Sequence, residues 1–224
     1  MKERPIIFSG PMVRAILTGR KTQTRRVVAW NRKHDEDDGC VLLEVNQHGE
    51  KTPGRFWPWA YHDGNEDPIA CPYGIPGDRL WVRETWYTPT SPWPDPDHPE
   101  EEHPPVSYSD EELYPGHWKK RPSIFMPRWA SRILLEVIEV RVERLQEITG
   151  VDAQREGVRW PIGNAAYRAH KARRTSPQEQ DAHRVGLFIG EWNKLNAKLG
   201  YGWETNPWVW VVEFRVLEAP NGRP

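Results

Sequence analysis

The chain has 224 residues, a net charge of -1 and 37% hydrophobic residues, enough length to bury a sizeable core and suited to a single elaborated domain. Its two cysteines, Cys40 and Cys71, are too few for a disulfide scaffold and too far apart for a structural zinc pair, so two reduced thiols are expected. The opening MKERPIIFSGPM is broken by Gly10 and Pro11, and no run nears about 18 apolar residues, which argues against a secretory leader or membrane span and for a cytoplasmic protein.

In chain order, PIIF reads as a short strand, and Met12, Val13, Ile16 and Leu17 then recur at helical spacing until Gly19 offers a stop. The strand TQTRRVV follows. From residue 29 to 72 the chain is rich in Asp, Gly, His and Pro around one strand, CVLLEV, which predicts an inserted hairpin or loop. PYGIPGD is turn chemistry, with Gly77 and Asp78 read as turn residues. It launches RLWVRETW, whose alternation puts Leu80, Val82, Glu84 and Trp86 on one face and Trp81, Arg83 and Thr85 on the other. A Pro- and acid-rich loop runs on to Trp118.

SRILLEVIEVRVERL is the longest strand-like run. Period two groups Ile133, Leu135, Val137, Glu139 and Arg141 against Leu134, Glu136, Ile138, Val140 and Val142, and the length suits a strand bending round a small barrel. Thr149 is placed to cap a short helix through Glu156, with Asp152 at the capping-box position and Gly157 as its end. A third helix is expected from Pro177 to Leu199, and PWVWVVEFRVL closes the chain as a strand. Strands interrupted by short helices, without regular βαβ alternation, predict an α+β domain on a curled or closed sheet rather than a doubly wound one.

Charge is segregated. No Asp or Glu occurs between Arg4 and His34, a span that holds Arg14, Arg20, Lys21, Arg25, Arg26, Arg32 and Lys33, so a local anion site is plausible. Conversely, Thr85 to Trp118 lacks Lys and Arg and reads as a solvated acidic loop, or as a competitor for phosphate folded over the basic face. Most of the 13 tryptophans should serve packing, and some could stack on bases.

The basic octapeptide GRKTQTRR, residues 19–26, concentrates the chemistry. In a strand beginning at Thr22, Thr22, Thr24 and Arg26 share one face and Gln23, Arg25 and Val27 the other, with Lys21 at the turn. An ammonium, hydroxyls and a guanidinium at one sheet edge suit binding a carbonyl or phosphate, or activating a hydroxyl. Spacing alone favours a phosphate-contacting strand over a catalytic one.

The pattern Gly19-x-Lys21-Thr22-x-Thr24-x-Arg26 after a short apolar helix, GDRLWV from Gly77 to Val82, the long strand, the small helix with Glu156, and a final WVVEF together resemble an ASCH domain of the PUA-like superfamily. The whole chain is similar to the longer ASCH-containing proteins of phages and prophages. The matching pieces span 4–28, 76–86, 128–158 and 207–217.

That resemblance implies a small β-barrel with flanking helices and a cleft for RNA or a nucleobase. It also implies one domain over 1–224, with insertions at about 29–75, 87–122 and 159–190 that make the chain longer than minimal members and could rebuild the pocket. A bacterial branch similar in the first motif hydrolyses the amide of N4-acetylcytidine. Its triad falls on Lys21, Thr24 and Glu156: Thr24 as nucleophile, Lys21 as base, Glu156 as acid to the leaving nitrogen. Arg20, Thr22, Arg25, Arg26, Arg83 and Glu84 become candidate substrate-binding residues, the arginines steadying an oxyanion or phosphate.

Other readings stay open. Lys21 also suits a solvated turn, Thr24 an ordinary β-branched strand residue and Glu156 a helix surface. Glu84, an acid on an apolar face, needs a partner: a base amino group in the cleft, or an arginine of the first motif. Binding or cutting RNA remains an alternative to amide hydrolysis. The eight histidines are scattered, so no metal or other cofactor is expected.

Overall fold

The computed structural model describes residues 1–28, 41–43, 57–62, 65–91, 103–109, 116–158 and 176–219, and of 41–43, 57–62 and 65–68 only the backbone. The architecture is mixed α+β. Its principal sheet contains β1 (Glu3–Ile7), β2 (Gln23–Val27), β6 (Arg79–Arg83), β9 (Leu134–Arg144) and β10 (Trp208–Glu218) in the order β1-β6-β9-β10-β2. β1 runs parallel to β6, and every other neighbour in this sheet is antiparallel. Among the described residues no ladder joins β1 to β2, the two edges, so closure into a barrel is not seen.

Both faces of this sheet are covered, which explains why WVWVV in β10 is apolar without interruption. Trp210, Val212 and Phe214 face a core with Ile6, Phe8, Leu80 and Val82, closed by Val13 and Ile16 of α1 (Gly10–Leu17). Val209 and Val211 face the other way, onto Ala153 of α2 (Gly150–Arg155) and onto Phe188 and Trp192 of α3 (Pro177–Asn196). Each such Val, Leu, Ile or Phe side chain contributes about 1.5–3 kcal/mol on burial.

The alternation expected along β9 breaks at a bulge. Val140 pairs with Val212 and Glu139 with Glu213, but the next pair is Val137 with Phe214, leaving Ile138 unmatched and 47% exposed. One extra residue switches the row, so Ile133, Leu135 and Val137 share a core with Val140 and Val142. RLWVRETW divides likewise: β6 stays in the main sheet, whereas β7 (Trp86–Pro89) leaves it to pair with β8 (Trp118–Arg121). The segment expected to hold one strand has three, β3 (Val41–Leu43), β4 (Trp57–His62) and β5 (Asn65–Pro68), in a separate antiparallel sheet.

The helices start and stop where their chemistry predicts. Thr149 Oγ accepts from Asp152 N at 3.1 Å, while Asp152 Oδ2 accepts from Thr149 N at 3.2 Å; Gly157 then turns out at φ +85°. Ser176 caps α3 in the same manner, and the helix ends at Asn196 before a short turn through Leu199. Cys71 is buried as a free thiol, and burial pushes its pKa up to about 12. Cys40 and most of the acidic stretch lie outside the described residues, among which no helix is long and apolar enough to cross a membrane.

Candidate active site around Lys21 and Glu156

The octapeptide wraps the end of α1 before it becomes strand. Gly19, at φ +68°, donates its N–H to Ile16 O at 2.9 Å, and the N–H groups of Arg20 and Lys21 both donate to Ala15 O, at 2.8 and 3.0 Å, satisfying carbonyls the helix leaves unpaired. Thr22 N then donates to Arg155 O at 2.9 Å, and Lys21 forms an isolated antiparallel bridge with Glu156. The last turn of α2 is thereby stitched onto the edge of β2.

This approach depends on Gly157. A Cβ there would stand 2.9 Å from Lys21 Cβ and 3.0 Å from Ala15 Cβ, in a backbone conformation L side chains rarely adopt. Gly157→Ala is expected to cost about 1–3 kcal/mol. Equilibrium urea denaturation checks it, and an unchanged midpoint would mean that the bridge tolerates a side chain at this position.

Lys21 is 1% exposed. Its Nζ donates to Gln23 O at 2.8 Å, Glu156 O at 2.9 Å and Glu156 Oε2 at 2.7 Å, which accounts for all three of its N–H bonds. Desolvation drives its pKa below the ordinary lysine value; the Glu156 carboxylate opposes that shift, and the positive fields of Arg26 and Arg25 add to it. The ammonium also lies 5.7 Å from the Phe8 ring centre, and the Arg26 guanidinium 5.3 Å from it. Thr24, 3% exposed, follows Gln23, whose carbonyl holds Nζ, and pairs with Val212 in the β2–β10 ladder.

Arg25 has a different setting from the open anion contact expected of it. Its guanidinium is enclosed by carboxylates: Glu143 at 3.0 Å, Glu156 Oε1 at 3.3 Å and Asp152 at 3.6 Å. Arg141 extends the network to Glu213 at 2.6 Å, Asp152 at 3.5 Å and Glu143. Gln23, with its amide oriented to suit its neighbours, donates to Glu213 at 3.1 Å and Asp152 at 3.3 Å. Glu156 is thus gripped from both sides, one oxygen by Lys21 and the other by Arg25. Nothing in residue spacing announces this nest, although the Glu139, Arg141, Glu143 alternation of β9 is its signature once β9 is known to lie beside β10.

The remaining candidates spread outward. Arg20 and Thr22 are exposed and line a cleft of about 570 Å3 against α2 and α3, whose described lining does not include Lys21, Thr24 or Glu156. Thr22 precedes β2, so it does not share the buried environment of Thr24. Arg26 donates from Nη2 to Ile7 O at 2.6 Å, and Arg83 lies 4.7 Å over the Trp81 ring. Glu84 does not pair with an arginine of the first motif: Arg132 donates from Nε and Nη2 to its two oxygens at 2.8 and 3.0 Å, with the Tyr108 ring 4.0 Å from the guanidinium. That bidentate pair occupies Glu84 structurally. Among the described residues no group of three or more His, Cys, Asp or Glu is arranged to hold a metal ion.

Comparison with protein-family models, with curated proteins and with solved structures returned no match.

Proposed function

We propose that the protein is a hydrolase of the ASCH, PUA-like class that cleaves the amide of an N4-acylated cytidine or a related modified nucleoside or nucleobase, acting in the cytoplasm. The observation that carries this reading is the buried Lys21, three residues before Thr24, whose Nζ lies 2.7 Å from Glu156 Oε2 and 2.8 Å from the carbonyl of Gln23, the residue before Thr24. A lysine desolvated to this degree is a credible base, and the acid needed for the leaving amine is already hydrogen-bonded to it.

The pair can share one proton, since ammonium with carboxylate and amine with carboxylic acid are tautomers. From the second form, Thr24 Oγ attacks the acyl carbonyl and passes its proton to Lys21. The tetrahedral adduct collapses as Glu156 protonates the departing N4, which leaves Thr24 acylated, Lys21 as ammonium and Glu156 as carboxylate. Water then attacks the ester and gives its proton to Glu156, while Lys21 returns a proton to Thr24 Oγ. The acid is released and the pair is restored. Arg26 would steady the oxyanion, and Arg25 would keep Glu156 aimed. Because Thr24 is nearly fully covered, the acyl group must displace a neighbouring side chain to reach it.

This cycle predicts that purified protein releases cytidine from N4-acetylcytidine, and that Thr24→Ala, retaining its fold, does so at least about a hundredfold more slowly. It also predicts a bell-shaped pH profile whose alkaline limb falls below the ordinary lysine value of 10.5, because burial lowers the Lys21 pKa and loss of the shared proton leaves none for the amine. A kcat that stays level up to that value would contradict the role of Lys21.

The saturated hydrogen bonding of Lys21 equally suits a noncatalytic RNA- or DNA-binding module in which the pair only fastens α2 to the sheet. In that case no acyl nucleoside is turned over, and affinity for single strands falls steeply with salt. An RNA-cutting enzyme would be recognised by inertness toward a substrate lacking the 2'-hydroxyl.

A further inference from the structure

The cleft beside the pair has its own chemistry. Arg20, Arg155 and Arg184 line it, Val151, Val158 and Leu187 supply apolar wall, and no carboxylate belongs to its described lining. The countercharges of these arginines are incomplete. Arg155, half exposed, has Glu213 at 3.5 Å, and Arg184 has Asp181 at 2.8 Å. The contacts of Arg20 are to neutral groups, Thr18 Oγ at 3.1 Å and Gly157 O at 3.4 Å. With Glu213 and Asp181 offsetting two of the three guanidiniums, the cleft keeps a net positive charge, and planar forks of this kind match phosphate oxygens. About 570 Å3 lies within the usual range for a small-molecule site, and the apolar wall suits a flat ring.

Position links the cleft to the chemistry. Arg20 and Thr22 immediately flank Lys21 and Arg155 immediately precedes Glu156, so the same two backbone segments form both sites. We propose that this cleft is a phosphate subsite, holding the phosphate of a phosphorylated cytidine, either a free mononucleotide or one unit of a polynucleotide. This assignment takes the identity of the nucleoside from the hydrolase reading, whereas its phosphate half stands on the cleft alone.

Calorimetric titration of the full chain at low ionic strength with cytidine, cytidine 5'-monophosphate, inorganic phosphate and pentacytidylate tests it. The monophosphate should bind about tenfold more tightly than cytidine, and inorganic phosphate should compete with it. Arg155→Ala and Arg184→Ala should each weaken the monophosphate about three- to tenfold while leaving cytidine within about twofold, with thermal melts verifying the fold. Tighter binding of pentacytidylate than of the monophosphate would identify a polynucleotide as the source, and weaker binding a free nucleotide; both uphold the subsite.

Equal affinity for cytidine and its monophosphate would overturn the proposal. So would a phosphate preference that survives the combined loss of Arg20, Arg155 and Arg184. Turnover of N4-acetylcytidine without a phosphate preference would sink the subsite and spare the hydrolase, whereas a phosphate preference without turnover would do the reverse.

Discussion

Lys21→Ala should abolish turnover and lower stability by about 3–5 kcal/mol, the range for removing one partner of a buried ion pair. The side chain is almost wholly enclosed, so solvent does little to offset the loss. Its removal strands the carbonyls of Gln23 and Glu156 and leaves the Glu156 carboxylate with Arg25 as its remaining cation. A Lys21→Met variant, which keeps the length of the stem, separates the charge from the packing: its deficit should approach that of alanine if the ion pair dominates. Urea denaturation of both, with unchanged m-values, measures it. A loss under about 1 kcal/mol would mean that the pair is no stronger than a surface salt bridge.

Arg25→Met should be of similar size and carries a sign that pH reveals. Without its guanidinium, Glu143, Asp152 and Glu156 face one another with less compensation, at a cost of about 3–5 kcal/mol near neutrality. Lowering the pH should narrow the gap to wild type, because protonation of Asp152 removes a charge that Arg25 neutralises. The wild type falls over the same interval. Desolvation pushes the Asp152 pKa up, but hydrogen bonds from Thr149, with Arg25 and Gln23, outweigh it and hold the group below its usual value. An acid depressed on folding contributes stability above its unfolded pKa and loses it as pH drops through the folded one. A deficit that stays constant or widens on acidification would show that Arg25 acts through packing instead.

What could be read from the chain was local. The Thr149 and Asp152 cap, the stop at Gly157 and the strand of the octapeptide, expected from Thr22 and found from Gln23, follow from short-range rules that tertiary contacts here reinforce. The long β9 run defeated simple alternation because a single inserted residue, Ile138, reverses the face, and periodicity counts residues without knowing which of them is paired. Glu84 was recognisable as an acid requiring a partner, but Arg132 became that partner only through the turn leading into β9.

Lys21 shows the same limit from the other side. Spacing leaves Lys21 open between a solvated turn and a sheet-edge site, whereas its buried ion pair is with Glu156, 135 residues away. Its candidacy came from resemblance, and Arg25, grouped with it as a substrate contact, proved to be enclosed by acids that no spacing rule connects. The arginines of α2 and α3 in the cleft were invisible for that reason too.

The most direct measurement compares cytidine release from N4-acetylcytidine by wild type and Glu156→Gln, at matched folded fraction. The amide keeps one accepting oxygen for Lys21 or Arg25, turns a donor toward the other and cannot deliver a proton, which is why the folded fractions are matched. Robust release by wild type and a drop in kcat of about 10²–10⁴ in the variant is the predicted result. Equal rates, or a folded wild type that leaves the substrate untouched, would contradict the assignment of the Lys21 and Glu156 pair as the chemical centre.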